Sequence, residues 1–399
     1  MRSRRKLLVL FVALGGTYLF ARLFFFGVFL VDSRSMEPTI HGDPESGEHV
    51  LVRYSGARPE RFDLVVVRVP GQPIPRVKRV VGLPGESVRI EEGDLYVYRG
   101  SEPVDISARR TRPVPVFDER LALENHFQSG AGIGIVGWKA TGTGWRHDGA
   151  PERPVARLEY ARRLADHYID GQGEFVEGAT EVGDLWIGAA LDLEEPNSRA
   201  LLAVAAQGDR FIGWIGSEAG GKRRVRLLSY PIPGPEPGAT ESELLTELEL
   251  EVAPGAHEWV LGRVDGRVEL WFDGRRVIDH QYGAPRRHPL DFFGEGRSRG
   301  PRAWIEVGGG GVALDGLRLW RDLHYTSRGD LAVREAFQLG PGELFLLGDN
   351  SGSSRDSRDF GPIGLEDLLG RPTHVVRPWK AARPLEGGIE WTPQVRPRD

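Results

Sequence analysis

The sequence predicts a mainly β protein that carries a long apolar segment at its N-terminus. Short apolar runs recur along most of the 399 residues, and several alternate polar with apolar side chains as half-buried strands do. Glycine and proline, with 53 and 28 copies, separate these runs with turns. Hydrophobic residues make up 40% of the chain, enough for a folded core, and the length suggests two or three domains.

The N-terminal apolar segment is predicted to be a transmembrane helix. Residues 2–6 are rich in arginine and lysine, and residues 7–31 then carry a single charge, Arg22. A helix of about 20 mostly apolar residues spans a bilayer, so this stretch is long enough if Arg22 reaches the interface. The basic cluster predicts a cytoplasmic N-terminus and an extracytoplasmic remainder. A cleaved signal peptide and a buried soluble helix are the alternatives.

Four short runs after this segment predict the first strands. Residues 50–52 and 64–67 are apolar, and residues 77–81 place Lys78 among valines. Residues 87–90 alternate polar and apolar side chains, which is the period of a strand with one buried face. We expect these runs to form a small, strand-rich core.

The middle of the chain is predicted to be an inserted β-sandwich. Strand-like runs recur from residue 99 to residue 326, and the pairs Asp265-Gly266 and Asp273-Gly274 between such runs indicate hairpins. In its succession of short strand-like runs and turns, this segment resembles the concanavalin/laminin-G-like sandwiches. We expect six of its tryptophans to lie in the sandwich core rather than on a sugar-stacking platform, namely Trp186, Trp214, Trp259, Trp271, Trp304 and Trp320.

Together these patterns predict five segments. After the insert, an apolar run at residues 343–347 and a serine-rich loop return the chain to the small core. The segments are an anchor at 1–31, the first part of the core at 32–98, the inserted sandwich at 99–326, the second part of the core at 327–380 and a C-terminal tail at 381–399.

Ser35 and Lys78 are the residues best suited to catalysis. A serine hydroxyl is a weak nucleophile until a base removes its proton, and a lysine can be that base when burial keeps it neutral. The valines around Lys78 favour such burial, and Ser35 closely follows the apolar segment. A Ser–Lys pair held at a membrane surface predicts hydrolysis of a substrate that emerges from the membrane.

Composition argues against several other classes of site. The chain has no cysteine, which excludes disulfides, thiolate zinc sites and cysteine nucleophiles. A formal net charge of −5 gives no support for binding of nucleic acid, which usually requires a basic excess. Because no pair among the ten histidines has metal-ligand spacing, we expect no structural or catalytic metal. We also expect no cofactor.

Four segments, taken in order, resemble the motifs of bacterial type I signal peptidases, which are membrane-bound and remove signal peptides with a Ser–Lys dyad. They are residues 33–39 (SRSMEPT), 48–52 (EHVLV), 77–85 (VKRVVGLPG) and 348–350 (GDN) followed by 354–358 (SRDSR). The resemblance covers roughly residues 5–98 and 325–380. It implies a signal-peptidase-like β core around the insert.

The resemblance also implies a role for each matching residue. Ser35 would be the nucleophile and Lys78 the general base. The supporting residues would be Ser33 as a hydroxyl donor to the oxyanion, Ser354 to orient the lysine, Asp349 and Asn350 to shape the loop, and Asp356 with Arg358 as a structural ion pair.

Three positions depart from the family pattern. Asp32 and Arg34 stand where proline and glycine are commoner, and Arg34 has less backbone freedom than glycine. Phe62 stands where glycine often precedes Asp63. The first two departures leave the geometry of the loop before Ser35 open.

The resemblance places the protein in the cytoplasmic membrane, with one span and the catalytic part on the extracytoplasmic side. Its partners would be the signal peptides of exported pre-proteins, the lipid bilayer and the secretion translocon. One alternative is a self-cleaving Ser–Lys repressor or mutagenesis protein, a class that normally lacks a membrane anchor. Another is a catalytically inactive peptidase-like membrane protein whose β-sandwich binds carbohydrate or protein at the cell surface.

Overall fold

A computed structural model of the protein shows two compact units. The first contains residues 1–112 and 323–390, and the second contains residues 113–322 and 391–399. The sequence had placed the insert at 99–326. The structure describes residues 25–54, 58–91, 93–106, 111–118, 120–128, 137–141, 144–149, 155–170, 174–206, 209–217, 222–231, 242–282 and 302–395.

Seven strands open the first unit. They are β1 (Phe26–Leu30), β2 (His49–Arg53), β3 (Leu64–Val67), β4 (Arg76–Gly82), β5 (Ser87–Glu91), β6 (Asp94–Arg99) and β7 (Glu102–Pro103). A 3-10 turn over Arg34–Met36 lies between β1 and β2.

The second unit contains the next seventeen described strands. They are β8 (Val114–Phe117), β9 (Phe127–Gln128), β10 (Lys139–Ala140), β11 (Gly144–His147), β12 (Val155–Tyr160), β13 (Tyr168–Ile169), β14 (Phe175–Val176), β15 (Leu185–Leu193), β16 (Arg199–Ala206), β17 (Asp209–Ser217), β18 (Arg223–Pro231), β19 (Glu243–Leu250), β20 (Ala256–Val264), β21 (Arg267–Phe272), β22 (Arg275–Gln281), β23 (Arg302–Gly308) and β24 (Val312–Arg321). A 3-10 turn covers Leu123–Asn125.

Five strands then complete the first unit. They are β25 (Phe337–Gln338), β26 (Glu343–Leu347), β27 (Ile363–Gly364), β28 (Leu368–Arg377) and β29 (Arg383–Pro384). Between and after them lie an α-helix over Ser357–Phe360 and 3-10 turns over Ser351–Ser353, Leu365–Asp367 and Trp379–Ala381.

The main sheet of the first unit joins strands from both parts of the chain. Its order is β1-β2-β28-β3-β4-β26-β27, with β29 paired to β28, and a smaller sheet has the order β25-β5-β6-β7. Strand β4 is therefore an inner strand, paired antiparallel with β3 on one side and β26 on the other. This position holds the backbone around Lys78 on both sides.

Two large antiparallel sheets and a two-stranded sheet of β13 and β14 form the second unit. One large sheet has the order β10-β11-β24-β15-β20-β21-β22, with β8 paired to β24, and the other has the order β19-β18-β17-β16-β23-β12-β9. Side chains such as Ile187 and Leu261 from the first sheet share one apolar core with Leu202 and Ile305 from the second. Burial of these alternating side chains is the main stabilising contribution in such a unit.

The prediction of a transmembrane helix is wrong for the last residues of the apolar segment. Phe26–Leu30 forms strand β1, which pairs antiparallel with β2 from Phe26 opposite Arg53 to Leu30 opposite His49. Apolarity alone does not separate a helix from a strand, and aromatic and β-branched residues favour the strand. Residues 1–24 of the predicted anchor lie outside the described residues. In the part of the chain that is described, no helix is both long and apolar enough to cross a membrane.

Five of the six tryptophans expected in the sandwich core lie elsewhere. The prediction is right for Trp259, which packs in the core shared by the two sheets. Because successive side chains of a strand point to opposite faces, Trp186 lies on the outer face while its neighbours Leu185 and Ile187 point inward. The other outward tryptophans are Trp214, Trp271, Trp304 and Trp320.

Residues 381–390, expected to belong to a tail, pack within the first unit. Strand β29 pairs with β28, with His374 opposite Pro384. Arg383 donates hydrogen bonds to both oxygens of the buried Glu48 carboxylate, at 2.6 and 2.9 Å. The carboxylate is thereby paired, as a buried charge requires.

Residues 391–395 pack on the outer face of a sheet in the second unit. The Trp391 ring meets the Trp186 and Trp320 rings edge to face, at centroid distances of 5.1 and 5.7 Å. Val395 is fully buried in the same cluster. This segment therefore covers apolar surface that the sheet would otherwise expose.

Trp391→Ala is expected to lower the free energy of unfolding of the second unit by about 2 kcal/mol, because it removes two edge-to-face ring contacts and uncovers apolar surface. Thermal unfolding followed by fluorescence measures the change. Trp379→Ala is the matched control, since that side chain is 79% exposed. Equal stability of the two variants would contradict a role for Trp391 in stability.

Candidate active site

Ser35 lies in the 3-10 turn Arg34–Met36 and is 8% exposed. The turn is held from one side, since Met36 and Ile40 are fully buried against Val50 and Val52 of β2. A nucleophile needs this kind of fixed backbone, because a small displacement of the reacting atom costs a large factor in rate.

Lys78 points into the site from the inner strand β4 and is 1% exposed. Its Nζ donates hydrogen bonds to Ser35 Oγ at 2.8 Å and to Ser354 Oγ at 3.2 Å. The structure therefore brings together three of the residues that the sequence singled out. The distance between Lys78 Nζ and Ser35 Oγ is that of a direct proton transfer.

The environment of Lys78 favours its neutral form. Burial lowers the pKa of Lys78 from 10.5 to about 8, because a charged amine is poorly solvated inside the protein. Asp356 and Asp349 oppose this effect, whereas Arg76 and Arg358 reinforce it. An amine with such a pKa can accept a proton near neutral pH, which an ordinary lysine does inefficiently.

Ser33 lies beside the nucleophile without engaging it closely. Its backbone is extended (φ −137°, ψ 148°), and its Oγ is 3.4 Å from Ser35 Oγ. Ordinary O–H···O hydrogen bonds are shorter than this. Arg34 does not require glycine-like geometry, because its φ is not positive. The loop geometry that the sequence left open therefore accommodates an arginine side chain.

Residues 348–350 hold the turn that carries Ser35. The Asn350 backbone N–H donates to the Ser35 carbonyl oxygen at 3.1 Å, and its side-chain amide donates to the Arg34 carbonyl oxygen at 3.1 Å. A Cβ at Gly348 would lie 2.2 Å from Ser354 Oγ and 2.5 Å from the Ser35 carbonyl oxygen. Glycine is therefore required at position 348 for the chain to approach the site this closely.

Asp349 forms a buried ion pair behind the site. Its two oxygens accept hydrogen bonds from Arg79 Nε at 2.7 Å and from Arg79 Nη2 at 2.6 Å, and one of them also accepts from the Thr39 hydroxyl. Both charged side chains are almost fully buried. The pair ties β4 to the loop after β26, and sequence reasoning had not assigned this partner to Arg79.

Asp356 and Arg358 form a second buried ion pair, as the resemblance implied they would. Asp356 accepts from Arg358 Nε at 2.9 Å and Nη2 at 2.8 Å, and also from the Gly348 backbone N–H at 3.0 Å. Arg358 further donates to the Thr326 carbonyl oxygen and to Ser351 Oγ, each at 2.7 Å. These contacts fix the loop that carries Ser354.

Phe62, which stands where the family pattern often has glycine, adopts a backbone conformation typical of glycine. It adopts φ 66°, the left-handed region that usually favours glycine. The Phe62 N–H donates to the Val80 carbonyl oxygen at 2.7 Å, and the Phe62 carbonyl accepts from Arg79 Nη1 at 2.8 Å. The position keeps the backbone conformation that glycine would adopt most readily.

The parts of the chain that form this site are similar in sequence to known proteins. The family model for signal peptidase, peptidase S26, matches residues 4–117 and 317–378. A signal peptidase I of Bacillus licheniformis is 35% identical over 79 residues, which is 20% of this chain and 42% of that protein. Signal peptidase I S of Bacillus subtilis (strain 168) is 37% identical over 79 residues, which is 20% of this chain and 41% of the relative. Over these ranges the chain is similar to type I signal peptidases.

The two ranges that match the family model contain all eight of the predicted site residues. Residues 118–316 fall outside them. The chain spans about two fifths of the length of the two curated relatives. A carbohydrate-binding module from Bacillus subtilis is similar to 49% of this chain and 95% of its own at 10% identity, with a TM-score of 0.31, which is too low to assign a fold or a ligand.

Proposed function

We propose that this protein is a membrane-bound serine endopeptidase that cleaves signal peptides from exported pre-proteins with a Ser35–Lys78 dyad. The observation that carries the proposal is the 2.8 Å hydrogen bond between Lys78 Nζ and Ser35 Oγ in a buried site. It lies within the ranges that match the signal peptidase family.

The reaction follows from the two side chains. Neutral Lys78 takes the hydroxyl proton of Ser35 while Ser35 Oγ attacks the scissile carbonyl carbon. The resulting ammonium returns this proton to the leaving amine as the peptide bond breaks, which leaves an acyl-enzyme and a neutral lysine. Lys78 then takes a proton from water, the hydroxide attacks the ester, and the proton returns to Ser35 Oγ.

Two serines support these steps in the proposal. Ser354 receives a hydrogen bond from Lys78 Nζ at 3.2 Å, which keeps the amine directed towards Ser35. The Ser33 hydroxyl and the Ser35 backbone N–H would donate to the oxyanion that forms during attack. Donors placed before the reaction are worth several kcal/mol in such a transition state.

Membrane attachment is part of the proposal. The part of the predicted anchor that precedes β1 would hold the N-terminus in the cytoplasm and the catalytic unit on the extracytoplasmic side of the cytoplasmic membrane. Strand β1 exposes Phe26, Val28 and Leu30 by 36–46%, and Trp379 is 79% exposed. Exposed apolar side chains of the catalytic unit favour contact with lipid, where a signal peptide leaving the translocon would arrive.

The second unit is proposed to be an inserted β-sandwich of the concanavalin/laminin-G-like class. Two antiparallel sheets with a shared apolar core support this proposal. Its nine-residue strands β15, β17, β18 and β20 alternate inward and outward side chains, as sandwich strands do.

Cleavage of a signal-peptide-bearing precursor by the full chain in lipid vesicles tests the proposed function. The wild type is expected to release the mature protein, and Ser35→Ala to lose this activity by about 1,000-fold or more. Ser46→Ala is the matched control, because that serine is exposed and bonds Asp43. If the wild type does not cleave, the alternative of an inactive peptidase-like protein with a ligand-binding β-sandwich is favoured.

The pH dependence of cleavage is a further prediction. Because the base must be neutral, kcat/KM of the wild type is expected to rise with pH through about 8, the pKa of Lys78. Initial rates on a peptide that spans the cleavage site, measured from about pH 6 to pH 10, define this limb. A limb near the ordinary lysine pKa of 10.5 would contradict burial of the amine.

A further inference from the structure

Arg76 is a charged residue beside the site that the sequence motifs did not include. It lies two positions before Lys78 on β4, and side chains two residues apart on a strand share a face, with Cα atoms about 7 Å apart. The Arg76 side chain is 30% exposed, whereas Lys78 is almost completely buried. A permanent cation therefore lies on the same face of β4 as the buried amine, at a more exposed position.

Two hydrogen bonds fix the Arg76 side chain. Nη1 donates to Asp32 Oδ1 at 3.1 Å, and Nε donates to Gln72 Oε1 at 3.2 Å. Asp32 comes immediately before Ser33 and three residues before Ser35, at the position where the family pattern more often has proline. The pair therefore connects the segment that carries the nucleophile to the strand that carries the lysine.

The other charged side chains that act on Lys78 belong to ion pairs. Asp356 is paired with Arg358, and Asp349 is paired with Arg79, and both pairs are almost fully buried. The Arg76–Asp32 pair is more exposed than either, at 30% and 36%. Substitutions at Arg76 and Asp32 can therefore change the local charge without leaving a buried ion unpaired.

We propose that Arg76 is a positioning residue of the site: with Asp32 it joins the nucleophile segment to β4, and it places a fixed positive charge beside the Lys78 amine. This inference rests on the proposed function. A guanidinium stays protonated at every relevant pH, so it disfavours a second cation next to it. The electrostatic effect of Arg76 on the Lys78 pKa has this direction.

The charge and the connection can be separated by comparing Arg76→Gln with Asp32→Asn. Both substitutions break the pair, but only Arg76→Gln removes the cation. Arg76→Gln is expected to move the acidic limb of kcat/KM upwards by about half a pH unit. Asp32→Asn is expected to leave the pH of this acidic limb unchanged or to lower it. Arg76→Lys keeps the positive charge and is expected to keep the acidic limb at the wild-type pH. High salt should reduce the Arg76→Gln shift, because the pair is partly exposed.

NMR of 13C-labelled lysine measures the same ionisation without activity. The chain has only five lysines, and the Lys78 signal is identified by its loss in Lys78→Met. The inference is overturned if the Lys78 titration is the same in Arg76→Gln and the wild type, or if Asp32→Asn shifts it upwards as far as Arg76→Gln does. If the wild type fails to cleave although Arg76→Gln shifts the titration, the proposed function fails and this inference stands.

Discussion

Lys78→Met is expected to abolish cleavage and, at the same time, to stabilise the protein near neutral pH. Methionine has a similar length but cannot accept a proton, so Ser35 loses its base and kcat/KM falls by about 1,000-fold or more. The same change removes a poorly solvated amine from a fully buried position. A lysine with a purely structural role would behave differently, because its loss would lower stability.

The size of the stabilisation follows from the Lys78 pKa. The gap between 10.5 in the unfolded chain and about 8 in the folded protein corresponds to about 3 kcal/mol of lost stability at neutral pH. Methionine recovers this loss but forfeits the hydrogen bonds from Nζ to Ser35 and Ser354. A net gain of about 1–2 kcal/mol in the free energy of unfolding is expected.

The stabilisation by Lys78→Met is expected to decrease as the pH rises above about 8. Below pH 8 both the folded and the unfolded wild type carry a protonated Lys78, so the loss of stability is complete. From about pH 8 to 10.5 the unfolded state binds more protons, so the wild type becomes more stable relative to Lys78→Met. Denaturant unfolding at pH 7 and pH 10 measures this change.

Lys139→Met is the control for the Lys78 experiment. Lys139 is 75% exposed and pairs with Asp148 in the second unit. Its substitution is expected to leave cleavage unchanged and to change stability by less than about 1 kcal/mol. A Lys78→Met protein that cleaves precursor, or that is less stable than the wild type at pH 7, would refute the proposed base.

The sequence predicted the candidate site more closely than it predicted the fold around it. Ser35, Lys78 and Ser354 lie within the short motifs that carry the resemblance, and the site leaves no room for a side chain at position 348 beside Ser354. The Arg76–Asp32 pair could not be predicted in this way. Its members are 44 positions apart, and each alone resembles an ordinary solvated charge.

Predictions that rested on apolarity alone were less accurate. Phe26–Leu30 continues an apolar stretch, but pairing with β2 makes it a strand. Trp186 and Trp304 lie in apolar runs, yet the alternation of strand side chains places them on the outer faces of their sheets. A continuous apolar run does not say which side chains of a strand point into the core between the two sheets, so the sequence could not assign these tryptophans.

Asp356→Asn is expected to be the most destabilising of these substitutions, by about 3–5 kcal/mol. It leaves the Arg358 guanidinium 1% exposed without a countercharge and weakens the acceptor for the Gly348 N–H. Hydrogen bonds from Arg358 to Thr326 and Ser351 remain, but neutral acceptors do not replace a carboxylate. Denaturant unfolding of the purified variant measures the loss.

Glu91→Gln provides a matched comparison for Asp356→Asn. Arg89 and Glu91 are also an arginine and a carboxylate two residues apart, with an N–O distance of 3.1 Å, but each side chain is 38% exposed. Water solvates both charges there, so Glu91→Gln is expected to cost less than about 1 kcal/mol. Similar losses in the two variants would mean that burial of the Asp356–Arg358 pair is unimportant. A much larger loss in Asp356→Asn would show that the loop carrying Ser354 depends on a buried charge pair, so that the orientation of Lys78 rests on an interaction outside the dyad itself.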